Sequence, residues 1–166
     1  MWALVSGYRL QTISEFMYRT KHIRQQGGYI PLPKAWCSDY ASVINLSKDG
    51  GIATCNKFLV QFRMSGLNIS TSNSKNILEK VKAQVYYTKF IEQFVSDESE
   101  CIRKLILRIH HHKMRDIMAQ YLANAKTKDF LFLYTHRNTK DFFIPSRCFF
   151  KSIFLKILNR FKSEKQ

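Results

Sequence analysis

The stretch RIHHHKMRDIMAQYLANAKTKDFLFLY, Arg108 to Tyr134, decides how the second half of this chain is read. It holds two apolar runs, Asp116–Leu122 and Phe130–Tyr134. Between them lie the small and polar residues Ala123, Asn124, Ala125, Lys126, Thr127 and Lys128. Asparagine tolerates the left-handed backbone region and so marks turns. The stretch therefore predicts a β-hairpin with a basic tip.

The flanking segments extend that pattern. Cys101–Ile109 sets Leu105, Leu107 and Ile109 on one face of a strand and Ile102 and Ile106 on the other, as in a strand covered on both sides. Further upstream, Phe58–Met64 alternates Phe58, Val60 and Phe62 with Leu59, Gln61 and Arg63, which predicts a first strand. Ser65-Gly66 ends it, and Ser70, Ser72, Asn73 and Ser74 offer helix N-caps. Ile77, Val81 and Val85 then recur four apart, predicting a helix over 74–94. Beyond the hairpin, 135–141 reads as a polar loop, and Pro145-Ser146 opens a last helix. There Phe149, Phe150, Ile153, Phe154, Ile157, Leu158 and Phe161 share an apolar stripe, expected to pack on the sheet. Lys151, Lys156, Arg160 and Lys162 occupy the remaining face.

The predicted order is β-α-β-β-β-α. That is an α/β, thioredoxin-like arrangement with a mixed four-stranded sheet, occupying residues 51–166. Residues 1–50 read as a basic N-terminal extension. Gly27-Gly28, Pro31 and Pro33 predict an extended arm over 25–51, with Trp36 and Tyr40 as its anchors on neighbouring molecules. The stretch Tyr8 to Arg24 is basic and amphipathic with only Glu15 as acid, the pattern of a mitochondrial targeting helix or of a basic helix lying on a partner.

Charge narrows the functional classes. The 166 residues carry 27 Lys+Arg against 12 Asp+Glu, a formal charge of +15. Residues 1–57 contribute +4, 58–100 are neutral and 101–166 contribute +11. Such a surplus favours a polyanionic partner, phosphate backbone or anionic lipid. A hydrophobic content of 45% excludes a disordered basic tail. No apolar run approaches the ~20 residues of a spanning helix. The cysteines, Cys37, Cys55, Cys101 and Cys148, show no CxxC spacing and read as free thiols.

The element order, the strand NKFLVQF with its Ser-rich loop, and DIMAQYLANAKTKDFLFL together resemble the mitochondrial large-subunit ribosomal protein forty-three family. Ala119, Gln120, Tyr121, Leu122, Asn124, Ala125 and Lys128 match its strand–turn–strand motif, although Ala125 stands near the turn glycine's place. Ser65-Gly66 and Ser70–Ser74 match its Gly/Ser loop loosely. The likeness covers about Gly50 to Arg160. It implies a non-catalytic constituent of the mitochondrial large ribosomal subunit, in the matrix, contacting ribosomal RNA and neighbouring mitochondrial ribosomal proteins. The same domain also resembles a small-subunit mitochondrial ribosomal protein and an accessory subunit of respiratory complex I, and the latter is the alternative reading.

Candidate RNA-binding residues are Arg108, Lys113, Arg115, Lys126, Lys128, Arg137, Lys140, Lys151, Lys156, Arg160 and Lys162. Enzymatic and cofactor readings find little purchase. Disulfide exchange requires a low-pKa thiolate beside the first helix, where this chain has serines. His110-His111-His112, as consecutive strand or loop residues, point in different directions and cannot close one tetrahedral metal site, so they read instead as a basic loop cluster near phosphate. We therefore expect no cofactor, no metal, no small-molecule substrate and no membrane span.

Overall fold

The computed structural model describes residues 13–55, 57, 60–61 and 76–163, excluding the side chains at 13, 49 and 160–163. Its helices are α1 (Thr20–Gln25), α2 (Ser38–Gly50), α3 (Ile77–Phe94), α4 (Glu100–Asn124), α5 (Thr127–His136) and α6 (Ser146–Ser163). Single 3-10 turns occur at Ile13–Glu15 and Pro33–Ala35. No strand occurs among the described residues. The expected thioredoxin-like sheet is thus replaced by an all-helical fold. The first predicted strand, Phe58–Met64, and the serine cluster after it lie outside the described residues, apart from Val60 and Gln61.

The deciding stretch is helical throughout except for one break. The segments read as strand Cys101–Ile109 and strand Asp116–Leu122 are parts of a single helix, α4. Its buried residues Ile106, His110, Met114, Met118 and Leu122 recur every four positions, the period of a helix face. Met, Ala, Gln and Leu dominate 118–123 and favour helix on their own. Asn124 makes no left-handed turn. Its side-chain amide donates to the Gln120 carbonyl, one helical turn back, at 2.9 Å. The chain turns instead at Ala125 (φ −69°, ψ 142°) and Lys126 (φ −63°, ψ 153°), two extended residues. The second predicted strand, Phe130–Tyr134, lies inside α5, where Leu133 is fully buried.

The predicted arm likewise folds into the body. Ala41, Val43 and Ile44 of α2 share a core with Ile77, Val81 and Ile91 of α3 and Met118 and Leu122 of α4. The Pro33–Ala35 turn packs on α3. Lys34, Ala35 and Cys37 all have positive φ, an unfavourable conformation for residues with a Cβ. Local bonds hold that turn: the Leu32 N–H donates to Ser38 Oγ (3.1 Å), and Ile30 N–H to Ser42 Oγ (2.9 Å).

α4 makes its most extensive packing with α6 and its next with α3. Lys151 meets Asp116, and Lys156 meets Ala125. The two helices therefore run in the same direction, joined in sequence through α5. Of the stripe expected to pack inward, α6 buries Phe149 and turns the other described members outward. It buries Cys148, Phe149 and Ser152, and leaves Phe150, Ile153, Phe154, Ile157 and Leu158 exposed. Ser152 tolerates full burial because its hydroxyl donates to the Phe149 carbonyl at 2.7 Å.

Candidate nucleic-acid interface

The α4–α6 packing gathers cations from two helices that are distant in sequence. Arg115 and Asp116 follow His112 by three and four positions on α4, so both lie on its side of the helix. Arg147 and Lys151 are one turn apart on α6. Together His112, Arg115, Asp116, Arg147, Cys148 and Lys151 line an open cleft of about 220 Å³. Asp116 is the only carboxylate among the described residues that line it. It accepts from Lys151 Nζ at 2.7 Å and stands 3.8 Å from His112 Nδ1. The bond from Lys151 holds the Asp116 carboxyl below the usual carboxylate range, so it stays ionised and keeps the lysine in place. Arg115 and Arg147 form no close ion pair or hydrogen bond among the described residues. Their planar forks suit a phosphate's oxygens.

Cys148 lines the same cleft, but burial pushes its thiol up to about 11. That is the opposite of an activated nucleophile. Cys37, also raised by burial, donates to Gln84 Oε1 at 3.2 Å. The three consecutive histidines are split apart by the helix. His110 is buried against Thr88, His111 meets Glu92, and His112 faces Asp116. Among the described residues, no three His, Cys, Asp or Glu side chains converge as a metal site.

The remaining sequence candidates separate into different environments. Lys126 and Lys128 border a second cleft of about 510 Å³, which Glu79 and Asp129 share and partly neutralise. Arg137 lies over the Tyr134 ring, 4.5 Å from its centroid, and donates to the Tyr134 carbonyl at 2.8 Å. Lys140 lies on the α5–α6 loop, which α3 ties down: Lys82 and Tyr86 both bind Asp141, and Lys89 donates to the Lys140 carbonyl. Lys156 donates to the Ala125 carbonyl at the end of α4 and lies over Phe130, so it caps a helix. Arg108 is exposed and Lys113 half-buried. The side chains of Arg160 and Lys162 lie outside the described residues.

Trp36 and Tyr40 anchor the chain to its own body, in place of the neighbouring molecules expected. The Trp36 indole N–H donates to Tyr121 Oη at 2.9 Å across 85 positions, and Lys80 Nζ sits 4.6 Å from its ring. Tyr40 packs on the core. Sequence reasoning missed Arg147, Lys82 and Lys89, while His112 was read only as part of a His cluster near phosphate. Arg147 was within reach, since it precedes Lys151 by one turn of a correctly expected helix.

Compared with protein-family profiles, curated proteins and solved structures, the chain matches none.

Proposed function

We propose that the chain is a non-catalytic binding protein for structured RNA, gripped by its phosphates at the α4–α6 cleft. The observation that carries this reading is the meeting of Arg115, Arg147, Lys151 and His112 around a single carboxylate. The C-terminal part, where all of them lie, holds most of the +15 charge. Phosphate contacts of this kind fix position without reading sequence, so binding depends on salt and RNA shape.

Ribosomal RNA of the mitochondrial large subunit is the specific partner the sequence suggested, with neighbouring ribosomal proteins beside it. The hairpin and sheet behind that suggestion are replaced by helices. Charge and the basic stretch Tyr8 to Arg24 are what still favour it, and with it the matrix. The complex I alternative relied on the same sheet, and its basic surface would meet acidic neighbours or anionic lipid in place of RNA.

Gradient sedimentation of mitochondrial lysate tests the assembly directly. The proposal expects co-migration with large-subunit ribosomal RNA that ribonuclease abolishes. Co-migration with complex I, indifferent to ribonuclease, would overturn it.

A further inference from the structure

The most apolar arc of α6 faces away from the protein. Phe150 is 73% exposed, Phe154 61%, and Ile153, Ile157 and Leu158 are each exposed by more than a third. At 100° per residue these five fall within an arc of about 140°. The opposite arc, which packs inward, carries Cys148, Phe149 and Ser152. A helix that buries a serine and exposes two phenylalanines has its stronger apolar face still to be covered. Arg147 falls inside this arc, one turn before Phe150 and Lys151, and Lys151 borders it, both on the cleft side. Next to the buried Phe149, Tyr134 of α5 is itself 47% exposed and meets the Phe149 ring edge-on at 5.3 Å.

We infer that this face docks on an anionic lipid surface, with α6 lying in the membrane plane. Charge selects the occupant. A second copy of this chain would bring another +15 against the same cations. An anionic bilayer offers an apolar layer for the phenylalanines and phosphates level with Arg147 and Lys151. A tyrosine at the border suits the interface, where its ring and hydroxyl meet different environments. No helix among the described residues is long and apolar enough to cross a membrane, and lying on the surface requires none. This inference goes beyond the RNA reading and stands on a separate observation, although the two surfaces adjoin at Arg147 and Lys151.

The test uses the full chain in flotation with vesicles of phosphatidylcholine alone or with about 30% phosphatidylglycerol. Flotation is expected with the anionic vesicles only. The double variant Phe150→Ser/Phe154→Ser should lose roughly tenfold or more of that partitioning while keeping its helical circular dichroism and its RNA affinity. Both side chains are exposed, so the fold has little to lose. A Phe154→Trp variant should show a blue-shifted emission, quenched by brominated acyl chains. Undiminished flotation of the double variant would overturn the inference, since charge alone would then explain binding. So would the absence of any flotation combined with self-association that the double variant abolishes, which would assign the face to a second copy. Parallel loss of RNA affinity in the double variant would make it an RNA surface instead.

Discussion

Truncating Ile44 to alanine separates the observed fold from the extended arm that the sequence suggests. Ile44 is fully buried and is among the largest side chains so enclosed. The change removes three carbons from the core, about 2.4 kcal/mol at ~0.8 kcal/mol per methylene. The cavity left behind raises the cost to about 3–4 kcal/mol. With a urea dependence of about 2 kcal/mol per molar, the unfolding midpoint should fall by about 1.5–2 M. Against a total stability of about 5–15 kcal/mol, that is a large fraction. Trp36 fluorescence can report the transition, because its indole is bonded to Tyr121 on α4 and should lose that environment on unfolding. Met17→Ala, at a residue 98% exposed, serves as the control and should cost under about 0.5 kcal/mol. An Ile44→Ala cost below about 1 kcal/mol would place α2 outside the core and refute the packing described.

Tyr121→Phe should cost about 1–2 kcal/mol, measured by the same unfolding curves, because the Trp36 N–H then loses its acceptor in a half-buried site. Stability should also decline at alkaline pH. Cys148 has its folded value raised to about 11 by burial, so its contribution is complete below the unfolded value near 9 and is lost as pH rises through about 11. Cys37, Tyr87 and Tyr121 are shifted the same way by burial, while Lys80, lowered by desolvation, works in the opposite direction as pH approaches its unfolded value of 10.5. A urea midpoint unchanged between pH 8 and 10.5 would contradict the burial of these groups. Alkylation of the native protein should modify Cys55 and Cys101 quickly and reach Cys37 and Cys148 only after unfolding, a pattern that peptide mass mapping reads directly.

Local patterns announced some of this structure. The four-residue recurrence of Ile77, Val81 and Val85 marked α3, which runs Ile77–Phe94 inside the expected 74–94. Pro145-Ser146 marked the start of α6. The chain does change direction at Ala125 and Lys126, within the expected turn over 123–128, but the elements it joins are helices. Cys101–Ile109 misled because Ile102, Leu105, Ile106 and Ile109 satisfy a period of 3.6 as well as Leu105, Leu107 and Ile109 satisfy a period of 2. Apolar runs of that length do not discriminate. Phe130–Tyr134 has strand-like composition, but the burial of Leu133 and the Phe130–Phe149 contact hold it as helix.

Other features depend on distant partners and had no local signal. Trp36 finds Tyr121, and Arg115 finds Arg147, only after α4 has packed on its neighbours. The inward face of α6 could not be read from its own periodicity, which favours the arc that the structure leaves exposed. Net charge was legible in full, yet its division into a cationic cleft, a neutralised cleft and a helix-capping lysine was not.

RNA affinity as a function of salt is the most direct measure of the central claim, that the α4–α6 cleft holds phosphate. A structured RNA should bind with a steep negative dependence of log K on log salt. Arg115→Gln/Arg147→Gln should weaken binding to all sequences alike and reduce the slope by about 1.5–2, the share of two phosphate contacts. Lys126→Gln/Lys128→Gln, beside Glu79 and Asp129, should change it less. An arginine variant with unchanged slope and affinity would contradict the account, and a larger loss from the lysine pair would move the site to the second cleft.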